Sequence, residues 1–525
     1  MAGSPVTTTP SLSSAHELVH DFVAAALPQA DRLRLAATCR TLRSGSLRWF
    51  PEVQAELTSG NRASARSLAA WLCLYRARAH VSFRADTVTL YDSRRKTAVP
   101  SMLRLLAARP AAAASVTLLS ACRSTWPDGF PCEVPTRCLL AFPSIEGLQC
   151  GFDFLLVGPV EPLWQLTQLQ RLKLRGYYLS GDWTGIACLS QLQHLELEDP
   201  FDAAAVPLPA GVSNLQALTR LSLGWRPAHQ QQQAATGLEH LRSLAGTLAD
   251  LNLAGRHLAA IPPVLTALTA LTRLNLSHNS IKGGWGQLQA LPRLRKLDPA
   301  SLTFIGGGLA AAPPQLAACS RLTRLKLGSL ERIFAVDSLS VLGSLHSLQH
   351  LTISLLLDVD AVPAVLSQLS KLTHLSLQAS CSTGFSNLQP LTLLEELSIF
   401  GTNMQEWQAA ELAATLAALP SVTSRALSSL SIQPSWDPAW RAILQMTQLR
   451  ALALDCCACE PPPAGLSNLQ ALTRLSLGMR LDLRQQPAAT GLEHLHPLAG
   501  TLDDLSLTSY SKADLRWQRS HACLA

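Results

Sequence analysis

The chain has 525 residues, a formal net charge of +7, 48% hydrophobic residues, 5% aromatic and 15% charged. One compact core rarely holds so long a chain, so it is several domains or a repeat array, and few aromatics among many leucines and alanines suit a stacked aliphatic core. No charge-free apolar run of about 18 residues offers a membrane span, no dense Lys/Arg block offers a nucleic-acid face, and 13 scattered cysteines show no disulfide framework and suit a reducing compartment, cytoplasmic or nuclear.

Residues 1–15 read as a disordered leader, without a basic segment followed by an apolar one. Residues 16–50 read as two helices. Leu18, Val19, Phe22, Val23 and Ala26 follow a helical period, Leu27-Pro28 closes the first helix, and Asp31 can cap a second that carries Leu33, Leu35, Ala36 and Cys39. This order (helix, LP, D, then a leucine-rich helix ending in TCR-x-L-R) resembles an F-box. It departs at the start, where Ser13-Ser14-Ala15 replace the usual leading Leu-Pro. The resemblance implies binding to a Skp-type adaptor within a cullin ubiquitin ligase. Leu18, Phe22, Leu27, Pro28, Leu33 and Leu35 would then divide between internal packing and the adaptor interface. The same residues also suit a plain helical cap on the first strand of a repeat array. His16-Glu17-Leu18-Val19-His20 matches H-E-x-x-H, but 15 preceding residues are too few for a zincin sheet and no G-x-x-H follows. It reads as a chance match on an amphipathic helix.

Residues 51–144 read as a helical linker with degenerate repeats, among them Ala85/Val88/Leu90 and Ala113/Val116/Leu118. Ile145/Leu148/Cys150 opens a stretch over 145–510 in which L-x-x-L-x-L recurs, from Leu169/Leu172/Leu174 to Leu502/Leu505/Leu507. A copy at Leu294/Leu297 has Pro299 in third place, and another is read at Leu427/Leu430/Ile432. The steps average about 25 residues, inside the 20–29 window of such arrays. Pro209, Pro262, Pro313, Pro363 and Pro463 each stand nine residues before a first leucine. The fullest copy, IPPVLTALTALTRLNLSHNSI, carries the expected Asn279, whereas Arg226, Arg256 and Ser380 take that place elsewhere.

The pattern resembles the leucine-rich-repeat family. It implies an α/β solenoid, a horseshoe with parallel strands on its concave face and return segments behind, fronted by the small all-α F-box-like region. Alternation within x-L-x-L-x sends the leucines to one face of a strand and the intervening residues to the other. Residues 211–255 recur at 465–509 with 32 of 45 positions identical, which indicates duplication of a two-repeat block. A tail over 511–525 follows; either it shields the last strand, or the chain is truncated or misassembled there.

Function is expected on the concave face. The residues before the second strand leucine form a column: Arg171, His194, Arg220, Asp250, Arg273, Lys296, Arg324, His350, His374, Glu396, Ser429, Ala451, Arg474 and Asp504. Between 273 and 374 it is basic or histidine throughout. An acidic or phosphorylated partner segment suits it, because guanidinium forks match carboxylate and phosphate; a merely solvated LTRL habit accounts for the same residues. The partner-binding candidates are Arg171, Arg220, Arg273, Asn275, Lys296, Arg324, His350 and His374, with Trp225, Trp285 and Phe400 as further anchors or loop packing.

Cys456, Cys457 and Cys459 lack a second metal-ligand pair, and Gly306-Gly307-Gly308 has no following Lys-Ser/Thr, so neither points to chemistry. The expectation is a protein-binding scaffold without catalytic, cofactor or metal residues. One version is a substrate receptor of a cullin-type ligase; the other is a structural scaffold of the cytoskeleton or a cilium axoneme.

Overall fold

The computed structural model describes residues 52–58, 61–75, 77–84, 98–121, 132–151, 154–175, 177–198, 208–224, 236–279, 281–298, 312–330, 336–355, 361–378, 383–400, 426–430, 449–456, 464–479, 492–509 and 515–518, with isolated positions between 411 and 447. The leader, the F-box-like helices, the H-E-x-x-H segment, Ala85/Val88/Leu90, Trp225, Gly306-Gly307-Gly308, Cys457 and Cys459 lie outside the described residues. The chain divides into two units, Met1–Ser222 and Leu223–Ala525.

In the first unit a parallel ladder joins β1 (Glu52–Thr58), β2 (Arg78–Arg84), β3 (Val116–Ala121), β5 (Gly147–Cys150), β7 (Arg171–Arg175), β9 (His194–Glu198) and β10 (Arg220–Ser222). A second parallel sheet joins β4 (Cys132–Pro135), β6 (Phe154–Pro159) and β8 (Tyr178–Ser180). The early crossovers are helical: α1 (Arg62–Tyr75), α2 (Ala98–Ala107) and α3 (Pro110–Ser115). Their apolar spacing explains this. Ala65, Ala69 and Leu72 form one buried stripe on α1, and Val99, Met102, Leu103 and Leu106 form another on α2. Proline opens α3 in its first turn, where its missing N–H costs nothing.

The stretch 51–144 therefore holds helices and in-register strands. The register corrects one reading: Leu119 stands opposite Leu148, so the repeat is Val116/Leu119/Ala121 and not Ala113/Val116/Leu118. Ala113 belongs to α3.

In the second unit each repeat contributes one strand: β11 (Asp250–Asn252), β12 (Arg273–Asn275), β13 (Lys296–Asp298), β14 (Arg324–Leu330), β15 (His350–Leu355), β16 (His374–Gln378), β17 (Glu396–Phe400), β18 (Ala426–Leu430), β19 (Ala451–Cys456), β20 (Arg474–Met479) and β21 (Asp504–Ser509). All pair in parallel with their neighbours in sequence. Here too one reading is corrected. Ala426, not Ser429, stands beside Glu396 and Ala451, and the register shifts between Leu427 and Leu430. Both corrections are slips of three residues, and the leucine spacing before each strand is itself three. From the tail, β22 (Leu515–Gln518) pairs antiparallel with β21.

The return segments show why leucine recurs every third residue. In the fullest repeat Leu265, Leu268, Leu271, Leu274 and Leu276 are all no more than 2% exposed. Leu265 N–H donates to Pro262 O (3.1 Å), Leu268 to Leu265 (2.9 Å) and Leu271 to Leu268 (3.0 Å), successive 3-10 turns that keep one residue in three facing inward. Each leucine so buried contributes about 1.5–3 kcal/mol. The four described prolines of the sequence pattern, Pro209, Pro262, Pro313 and Pro363, each stand at the entrance of a 3-10 segment. Gly237, Gly284 and Gly384 take that place in other repeats, with φ of 80°, 79° and 74°. At Gly284 a Cβ would lie 2.7 Å from the carbonyl oxygen of Ile261, so only glycine fits.

The asparagine position also has a physical basis. Buried Asn279 donates from Nδ2 to Leu253 O and Leu276 O (both 2.8 Å) and accepts at Oδ1 from Leu258 N–H (3.0 Å). One repeat earlier, Arg256 fills the same role: it is buried, and its Nε donates to Leu223 O, the carbonyl equivalent to Leu253 O. The ladder continues through a guanidinium where the amide is missing.

Candidate partner-binding face

The second unit sets the expected column in register. Asp250, Arg273, Lys296, Arg324, His350, His374 and Glu396 follow one another across adjacent strands. Each precedes a buried leucine, so strand alternation places it on the opposite, open face. Neighbouring strands lie about 4.8 Å apart, so the long side chains interact with those on either side.

A cleft of about 400 Å³ opens on this face, lined by Asp250, Arg273, Asn275, Lys296, Asp298, Arg324, Lys326, His350 and Thr352 over a floor of Leu274, Leu297 and Leu325. Arg273 pairs with Asp250 at 3.5 Å. Lys296, Arg324 and Lys326 have no ion-pair partner among the described residues. The consequence is visible in two groups. Burial holds the Lys296 ammonium below its ordinary pKa, and the flanking Arg324 and Arg273 push it further down against the pull of Asp250. Burial likewise lowers His350 to about 4, with His374, Arg324 and Lys296 adding to the shift, so its ring is neutral at physiological pH. The rings of His350 and His374 lie 4.0 Å apart. His374 also reaches Glu396 at 3.4 Å and Thr373 Oγ1 at 2.9 Å. Asn275 Oδ1 accepts from Ser277 N–H at 2.9 Å, and its amide N–H groups have no partner among the described residues.

The same strand face in the first unit is chemically different. Lys173 pairs with Glu196 at 2.7 Å, and Arg175 contacts both Glu196 and Glu198. Glu198 is buried and accepts a further bond from Ser222 Oγ at 2.8 Å. Burial raises the Glu196 carboxyl, Glu198 adds to this, and Lys173 and Arg175 oppose it. Cations there have local counter-charges.

Of the sequence candidates, Arg273, Asn275, Lys296, Arg324 and His350 come together at the cleft, and His374 adjoins it. Arg171 and Arg220 stand on β7 and β10 of the first unit and do not join this cluster. Leu18, Phe22, Leu27, Pro28, Leu33 and Leu35 lie outside the described residues. Trp285 is 7% exposed at the start of a 3-10 segment, so it packs inside its repeat and anchors nothing from outside. Sequence reasoning missed Lys326, Asp298 and Thr352, each two residues beyond a column position. The same alternation that gave the first column gives this one.

Among the described residues no group of three or more His, Cys, Asp or Glu could hold a metal ion, and no helix is long and apolar enough to cross a membrane. Burial pushes the Cys319 thiol up to about 11 and raises Cys150 further still, so neither presents a thiolate at neutral pH.

No family model and no curated protein matches the chain. Among solved structures it is similar to an internalin from Listeria monocytogenes (17% identity, 71% of this chain and 89% of that one, TM-score 0.40). It is similar also to a leucine-rich-repeat protein of Leptospira interrogans (16% identity, 86% and 100%, TM-score 0.46). A third is the leucine-rich-repeat ectodomain of a plant membrane receptor kinase from Arabidopsis thaliana (17% identity, 78% and 52%, TM-score 0.36). With one in-register parallel strand per repeat, three-residue leucine spacing along the return and a side-chain ladder at Asn279 and Arg256, the second unit has the leucine-rich-repeat fold, and the parallel ladder and buried leucines of the first unit follow the same plan.

Proposed function

We propose that this chain is a binding scaffold that holds a protein partner on the strand face of its second unit. The observation that supports this most is the row Arg273, Lys296 and Arg324 on adjacent strands with Lys326 beside them, four cations against the two carboxylates of Asp250 and Asp298 in the cleft. An array of aliphatic repeats gains no stability from crowding like charges, whereas a partner with complementary charge gains both affinity and orientation from them. Affinity capture with the full chain tests the reading. Arg273→Gln combined with Arg324→Gln is expected to lose most captured partner without lowering thermal stability. Unchanged capture by that variant would reject the face as the binding surface.

A finer reading makes the chain a substrate receptor in a cullin-type ligase, with Leu18, Phe22, Leu27, Pro28, Leu33 and Leu35 serving a Skp-type adaptor. Its support is the helix–LP–D–helix order of residues 16–50 alone. Co-purification with the adaptor is expected for the native chain and is lost on Leu27→Asp with Pro28→Ala. Retention by that variant assigns the segment to capping, and a chain that never captures the adaptor is left as a structural scaffold.

A further inference from the structure

We infer that the cleft across β11–β15 is a phosphate-reading subsite, and that its occupant is a phosphorylated, extended segment of the protein partner. This rests on the reading of that face as the partner surface and names the chemistry it selects.

Charge balance leads to the dianion. Arg273, Lys296, Arg324 and Lys326 bring four positive charges to the cleft, Asp250 and Asp298 bring two negative ones, and His350 is neutral. The remaining excess of two matches a phosphomonoester, which carries roughly −1.5 to −2 at neutral pH, better than a single carboxylate. Geometry agrees with the charge. Lys296 stands between the two arginines in register, so a point charge lies between two planar forks, each of which can hold a pair of phosphate oxygens. Neutral donors complete the set, the Asn275 amide and the Thr352 hydroxyl lining the same cleft. Burial lowers the Lys296 ammonium first and the flanking Arg324 and Arg273 lower it further, a like-charge repulsion that a bound dianion would offset.

An extended peptide is favoured over a compact ligand by the face itself. The open side of a parallel sheet continues on both sides of the cleft, through Asp250 at one end and His374 and Glu396 at the other. Glu396, paired to His374, supplies negative charge next to the subsite and favours a basic or neutral residue there.

The test uses the full chain and fluorescent degenerate heptapeptide pools centred on phosphoserine, serine or glutamate. Polarisation is expected to show the phosphoserine pool binding at least about tenfold tighter than the other two. Lys296→Gln and Arg324→Gln should each remove most of that difference, and Asp250→Asn should tighten binding. Equal binding of the phosphoserine and glutamate pools would overturn the phosphate assignment, as would a single-stranded RNA oligomer binding in place of the peptides. If no pool binds, the affinity capture above separates the two failures. Capture still lost on Arg273→Gln with Arg324→Gln leaves a partner face that reads something other than phosphate; capture unchanged removes the face as well.

Discussion

His350 lies between the His374 ring, 4.0 Å away, and the cations of Lys296 and Arg324, and burial with these neighbours lowers its pKa from 6.5 to about 4. Between those two values the unfolded chain binds a proton that the native chain refuses. Stability therefore falls as pH drops from about 6.5 towards 4, and is unaffected by this group above that window. His350→Gln should show a smaller loss of urea midpoint between pH 7 and pH 5 than the native chain; an equal loss would remove His350 as the source. Asn279 gives a second residue-scale prediction. Its amide serves the carbonyls of Leu253 and Leu276 and the N–H of Leu258 in a buried place. Asn279→Ala leaves those groups unpaired and should cost about 1–3 kcal/mol, read by denaturant titration. Asn279 was legible in the sequence, but Arg256 was not, because a motif written as Asn or Cys overlooks a guanidinium that donates to the equivalent carbonyl.

At the scale of elements, the leucine strands could be read from the sequence and the earliest ones could not. In β12 the run Leu265 to Leu276 announces both the 3-10 return and the strand, because every inward position is leucine. In β1 and β2 the buried residues are Val53, Leu57, Ala79, Val81 and Phe83, a mixed set that alternates like any buried strand. The small sheet of β4, β6 and β8 carries no repeat signature, and its pairing depends on where the loops after β5 and β7 run. Slips of one triplet at Leu119 and Ala426 have the same root. Where leucines recur every three residues, a shift by three satisfies the pattern nearly as well, and only strand pairing decides. Several turn entrances are proline and three are left-handed glycine, which yields a contrast. Gly284→Ala meets the Ile261 backbone and should destabilise by more than about 1 kcal/mol. Alanine at Gly246, where a Cβ would meet nothing within 4 Å, should have far less effect on the melting temperature.

For the whole molecule the repeat architecture governs how damage spreads. Each strand pairs only with its neighbours, so cohesion in the second unit is a chain of local interfaces. Leu274→Ala removes a side chain that is 2% exposed and should cost about 2–5 kcal/mol at that place. Hydrogen exchange should quicken in β11–β13 while β19–β21 keep their native protection; uniform loss throughout the unit would show a single cooperative core instead. The basic column was legible on the same grounds, since one outward position per repeat suffices to trace it. What the sequence could not reveal is which cations have counter-charges. Lys173 and Arg175 find Glu196 and Glu198, while Lys296 and Arg324 stand beside one another, and that difference becomes visible only when the strands are aligned.

The antiparallel pairing of β22 with β21 bears on how copies of the chain meet. A stack of parallel strands is an open-ended template, and a bare final strand invites the first strand of another molecule, a head-to-tail contact that does not close and so builds filaments. With Leu515–Gln518 laid along Asp504–Leu507, the outer edge of that part of β21 is paired, and the direction of the added strand is reversed. A newcomer aligned parallel to the array then meets a four-residue edge of the opposite polarity, which disfavours a head-to-tail contact through β21.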